Sequence, residues 1–100
     1  MARLSAEAAR GAVGALPGWT LTAEGAAMEK VFQFRTFHQA MAFVNRVAEL
    51  ATEARHHPDI HISYNRVTLT LTTHHEGGLT EKDIALARRI EEVGEGASDG

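Results

Sequence analysis

Two hydrophobic periods alternate along the chain. Leu4, Ala8, Ala9, Ala12 and Leu16 share one face of a helix predicted over residues 6–15, with Ser5 able to cap it and Pro17-Gly18 to stop it. Residues 19–22 alternate as a short strand, 23–26 turn, and 28–35 return. In that returning strand Met28, Lys30, Phe32 and Phe34 share one side, while Val31 breaks the polar alternation of the other. Thr36 and Gln39 make a capping box for a helix over 37–55. Its stripe of Phe37, Ala40, Met41, Val44, Val47, Ala48 and Ala51 is widened by Phe43, Leu50 and Ala54. A stripe that broad suits contact with both the sheet and another helix, internal or from a second subunit.

Pro58 cannot continue the helix and pushes His57 toward an extended conformation. Residues 59–64 and 67–73 then alternate, with Ile60, Ile62, Tyr64, Val67, Leu69 and Leu71 against His61, Ser63, Thr68, Thr70 and Thr72. Around Asn65-Arg66 this reads as a β-hairpin with one buried face. Thr80 and Asp83 open a last helix over 81–93, whose Ile84, Leu86, Ala87, Ile90 and Val93 point inward. The order α-β-β-α-β-β-α predicts an α+β fold, a four-stranded antiparallel sheet with three helices packed on one face and the Thr, Ser and His positions on the other. One domain is expected over residues 1–93, followed by a flexible tail over 94–100.

Composition narrows the function classes. A net charge of −3 with scattered Lys and Arg offers no basic face for nucleic acid. The absence of cysteine excludes disulfides, thiolate metal sites and a Cys nucleophile. Glu7 and Arg10 interrupt any signal-peptide core, and no apolar run reaches membrane-spanning length, so a cytoplasmic protein with no membrane contact is expected.

The candidate chemistry is imidazole chemistry. Five of the six histidines lie between Glu53 and Asp83, as His56-His57, His61 and His74-His75. The hairpin between the two pairs can return them to one sheet end, where histidines that titrate near neutrality supply an acid and a base. Taken alone, His56-His57-Pro58 reads equally as a helix stop, and His74-His75 as a polar turn before Gly77-Gly78. His61 and His38 read as exposed surface residues. His57-x-x-x-His61 has metal-ligand spacing, but Pro58 inside it destroys the helical geometry that spacing needs, so metal ranks below acid–base chemistry. Trp19 at a strand start is either core or the wall of a pocket for a planar ligand. Lys82 sits in a first helical turn, an unfavourable place for a cation that hints at a role.

Several segments together resemble the pterin-4a-carbinolamine dehydratases: Leu16-Pro-Gly-Trp19, Glu53-x-x-His56-His57-Pro58-Asp59-Ile60, Tyr64-Asn65-x-Val67, Thr73-His74 and Gly78-Leu79-Thr80-x-Lys82-Asp83. The resemblance spans residues 16–93 and implies the same α+β fold, joined into homodimers through sheet edges or homotetramers through helices. It implies dehydration of 4a-hydroxytetrahydropterin to quinonoid dihydropterin, with no metal or organic cofactor, in the service of an aromatic amino acid hydroxylase. By this resemblance His56, His57 and His74 are catalytic, His56 and His74 sharing the acid and base roles in either assignment and His57 positioning the pterin. Trp19, Pro58, Lys82 and Asp83 belong to the substrate site, with Pro58 fixing geometry and Asp83 orienting the last helix. Lys82 stands where some members have Arg, and Arg55 where some have an acidic residue. His75 is an additional titratable neighbour of His74. The alternative role is a non-catalytic protein-binding or dimerisation module of the same fold.

Overall fold

In the computed structural model, which describes residues 2–98, the helices begin where capping side chains meet orphan amides. Helix α1 (Ala6–Gly14) starts as the Ser5 hydroxyl accepts from the Ala8 amide at 3.1 Å. Helix α2 (Phe37–Ala54) starts with both halves of its capping box formed: Thr36 Oγ1 accepts from Gln39 N–H at 3.0 Å, and Gln39 Oε1 accepts from Arg35 N–H at 3.1 Å. Helix α3 spans Glu81–Ser98.

Strands β1 (Thr20–Thr22), β2 (Ala27–Gln33), β3 (Asp59–Ser63) and β4 (Arg66–Leu71) form an antiparallel sheet ordered β1-β2-β4-β3. The element order is the predicted α-β-β-α-β-β-α. Period-2 alternation decides which face is covered: Met28 and Phe32 of β2, with Val67, Leu69 and Leu71 of β4, are buried together with Phe43, Val47, Ile84 and Ile90 of the helices. Val31 falls on the opposite face, 53% exposed, which resolves its break in the pattern. No helix among the described residues is long and apolar enough to cross a membrane.

Four sequence expectations are corrected. The second hairpin turns at Tyr64-Asn65 rather than Asn65-Arg66, because Tyr64 adopts a φ of 53° and Ser63 pairs with Arg66. The turn is tied to the end of β2, with Asn65 Nδ2 donating to Phe34 O at 2.8 Å and Phe34 N–H donating to Asn65 O at 2.8 Å. Tyr64 is accordingly 68% exposed instead of core. The inner face of α1 is Ala9 and Val13, continued by Leu16, whereas Ala8 is exposed. On α2 the buried line is Ala40, Phe43, Val47, Leu50 and Ala51, while Phe37 and Ala48 of the expected stripe are exposed and Met41 and Val44 half-buried. Finally, α3 continues through Gly94 to Ser98, past the expected helix end at Val93; residues 99–100 of the expected tail lie outside the described residues. Gly94 packs instead of stopping the helix: a Cβ there would lie 3.0 Å from Phe32 Cε2 and 3.6 Å from Phe43 Cε1.

The core face also holds a charge. Lys30 Nζ sits 2.7 Å from Glu91 Oε2, donates to Pro17 O at 2.8 Å, and lies 4.7 Å from the Phe32 ring centroid. Trp19 Nε1 donates to the same Glu91 oxygen at 3.0 Å. One carboxylate on α3 thereby ties the first hairpin to the last helix, and both partners of the ion pair are largely shielded, 18% and 16% exposed. Glu91→Ala should lower the unfolding free energy by about 1–3 kcal/mol, because it leaves a shielded ammonium and an indole N–H short of an acceptor. Urea denaturation monitored by Trp19 fluorescence checks this, and an unchanged midpoint would refute it.

Candidate active site

Where α2 ends decides where His56 points. Arg55 takes a left-handed conformation, φ 54°, and its amide bonds back to the Ala51 and Thr52 carbonyls. His56 N–H donates to Ala51 O at 3.1 Å, completing a Schellman-type end. Helix α2 thus stops at Arg55, before Pro58 could act, and Pro58 stands between the two histidines and the start of β3.

His56 turns its Nε2 to the Oδ1 of Asp83, 27 residues later. Asp83 has no exposed surface and the His56 side chain is 11% exposed. The other carboxylate oxygen, Oδ2, accepts from Thr80 N–H at 2.9 Å and from the Thr73 hydroxyl at 2.8 Å. The first of these is the capping contact read from the sequence. The remaining arms were not legible as local motifs, since they join three separate segments. An ionised carboxylate only accepts, so with Asp83 ionised the shared proton belongs to Nε2, and Nδ1 is the other ring nitrogen. Among the described residues, that nitrogen has no hydrogen-bond partner.

Thr73 leaves the ladder after β4 and forms a single bridge with Gly78, its N–H donating to Gly78 O at 3.1 Å. Between them His74–Glu76 make one 3₁₀ turn, closed by Gly77 at a φ of 75°. The pairing of Asp59 with Thr70, carried outward, sets His56 level with Thr73 and brings the segments carrying His56, His57 and His74 to one sheet end. His57, His74 and His75 are exposed there, Pro58 is half-buried, and the Lys82 side chain is exposed while its amide donates to Thr80 Oγ1 at 3.3 Å. His75 Nε2 lies 3.8 Å from Glu76. His61, on β3's outer face, is exposed, as is His38 near the start of α2.

Trp19 is not brought to this group. It precedes β1, at the opposite edge of the sheet from β3, and its buried ring packs edge-on against Phe32 at 6.2 Å. Of the two sequence readings, core and pocket wall, the geometry within this chain is that of core. A cavity of about 480 Å³ opens at the start of α1, between Arg3, Arg10, Glu24 and Gly77, and no histidine lines it.

An antiparallel sheet with one face covered by helices, and with one imidazole bonded to a buried carboxylate at a sheet end, defines an α+β class of protein. The family profile described as pterin 4 alpha carbinolamine dehydratase matches residues 2–93. A Thermomicrobium roseum protein named for that dehydratase family is 56% identical over 93 residues, covering 93% of this chain and 98% of the relative. The crystal structure of a transcriptional coactivator/pterin dehydratase from Brucella melitensis superposes with a TM-score of 0.88 at 37% identity, over 92% of this chain and 98% of that one. A pterin dehydratase-like protein identified as a RuBisCO assembly factor in the α-carboxysome superposes with a TM-score of 0.67 at 27% identity, over 77% of this chain and 89% of that one. The chain belongs to the pterin-4-alpha-carbinolamine dehydratase family.

The buried network makes a stability prediction that is independent of activity. Asp83→Ala removes the acceptor for Thr73, Thr80 and His56 together and should cost about 3–5 kcal/mol. Chemical denaturation measures it, and a loss below about 1 kcal/mol would mean the carboxylate does not hold these segments.

Proposed function

We propose that this protein is a 4a-hydroxytetrahydropterin dehydratase that works by histidine acid–base catalysis in the cytoplasm. The observation that carries the reading is the Asp83 carboxylate, fully buried and bonded to His56 Nε2, a histidine for which the sequence resemblance implies a catalytic role. Dehydration removes the N5 proton and the C4a hydroxyl of the substrate. The electron pair left at N5 becomes the C4a=N5 double bond of the quinonoid product, and the hydroxyl departs as water once protonated. No electron enters or leaves, so one base and one acid suffice.

His56 is the base in this reading. A carboxylate at Nε2 stabilises the imidazolium formed when Nδ1 accepts a proton, as in other Asp–His pairs. His74 is the acid for the leaving hydroxyl, and His57 with Lys82 positions the pterin. Pro58 fixes the exit from α2 toward β3. The product's consumer would be a reductase step that restores the tetrahydropterin used by an aromatic amino acid hydroxylase.

Oligomerisation accounts for the apolar residues left outside the core. Phe37, 50% exposed, begins the line Phe37, Met41, Val44 and Ala48 at helical spacing on α2, and Ile60 on the edge strand β3 is 38% exposed. A homodimer or homotetramer would cover them. The same surfaces also suit the second reading, a protein-binding role like the coactivator and assembly functions named for two structural relatives.

Stopped-flow absorbance of freshly generated 4a-hydroxytetrahydropterin tests the activity. The wild type should accelerate dehydration, and His56→Ala and His74→Ala should each reduce the acceleration by about a hundredfold or more. Folded wild type with no acceleration would overturn the dehydratase reading and leave the partner-binding one, and full activity in both variants would overturn the assignment of acid and base to these histidines.

A further inference from the structure

Buried polar side chains among the described residues are Thr73, Thr80 and Asp83, and all three join one network that ends on His56. Its proton bookkeeping runs in one direction. The carboxylate cannot donate, so Thr73 commits its single hydroxyl hydrogen to Asp83 Oδ2 at 2.8 Å. Thr73 Oγ1 must then accept across its 2.9 Å contact with Thr80 Oγ1, which makes Thr80 the donor. The Thr80 oxygen in turn accepts from Lys82 N–H at 3.3 Å. With the Thr80 amide also on Oδ2, that oxygen is occupied from inside and Oδ1 is left for the imidazole.

Thr73 has a second task in the same place. Its backbone carries the bridge to Gly78, accepts from Glu76 N–H at 3.0 Å, and leads directly into His74. One residue therefore touches the supports of both histidine segments, His56 through Asp83 and His74 through the chain itself.

We propose that the Thr73 hydroxyl is a positioning group for the reaction: by holding Asp83 in this orientation it keeps His56 in the Nε2–H tautomer and makes Nδ1 the nitrogen that takes the substrate proton. This rests on the dehydratase reading for its kinetic consequence but not for its structural one. Losing the hydroxyl frees the carboxylate to turn and leaves the Thr80 hydroxyl without its acceptor. The imidazole then loses the single hydrogen bond that selects its tautomer. The consequence falls on the chemical step rather than on pterin affinity, since Thr73 is 2% exposed and its hydroxyl meets Asp83 and Thr80.

The test compares wild type, Thr73→Ser and Thr73→Val. Long-range ¹H–¹⁵N spectra of the His56 ring at a pH where it is neutral should show the proton on Nε2 in wild type and in the Ser variant, and a mixture of tautomers in the Val variant. Turnover should follow: kcat lowered about tenfold to a hundredfold in Thr73→Val with KM changed less than about twofold, and largely restored in Thr73→Ser. A wild-type His56 protonated on Nδ1 overturns the proposal without recourse to any variant, so it stays testable if Thr73→Val does not fold. A Val variant that retains the Nε2–H tautomer and wild-type kcat also overturns it. Wild type that shows the Nε2–H tautomer, lost in Thr73→Val, yet dehydrates no pterin would support the positioning network and refute the dehydratase reading instead.

Discussion

Burying a carboxylate costs several kcal/mol unless its lone pairs are met by donors, and Asp83 is buried completely. It meets that condition only because three segments converge. Thr80 supplies an amide from the start of α3, Thr73 a hydroxyl from the end of β4, and His56 an imidazole N–H from the end of α2. The requirement acts in both directions. The carboxylate is tolerable only in the native arrangement, and the arrangement of these ends is held by the carboxylate.

The surrounding fold provides for this convergence. The β3–β4 hairpin turns tightly at Tyr64-Asn65, so the segment leaving α2 and the segment leaving β4 arrive level with one another. The left-handed Arg55 closes α2 one residue ahead of His56, which directs that side chain toward α3 instead of along the helix. At the far edge of the sheet, Glu91 ties Lys30 and Trp19 to α3, so the last helix is anchored at both hairpins. A helix held in that way keeps Asp83, in its first turn, in register with the sheet end.

Much of this was legible because it is local. Alternation over Met28, Lys30, Phe32 and Phe34, the capping pairs Ser5 with Ala8, Thr36 with Gln39 and Thr80 with Asp83, and the proline after His57 each declare an element within a few residues. The misreadings have the same origin. Tyr64 continues the apolar parity of β3 but sits in the turn, because a side chain's period does not reveal its backbone φ. Gly94 looks like a helix stop until the rings of Phe32 and Phe43 occupy the space beside it. Arg55 stands where some members have an acidic residue, and the carboxylate that meets His56 comes from 27 residues away. Trp19 illustrates the opposite limit: a tryptophan at a strand start fits core and pocket equally in sequence, and its burial against Phe32 with its bond to Glu91, on α3, distinguishes them.

The central claim is that the end of the sheet where Asp83 holds His56 is a pterin site. Its most direct measurement is titration of the protein with an unreactive oxidised pterin while following the imidazole resonances. The account predicts saturable shifts of His56, His57 and His74, with His38 and His61 unmoved. Saturable binding that leaves those three rings unperturbed, or no binding by the folded protein, would contradict it.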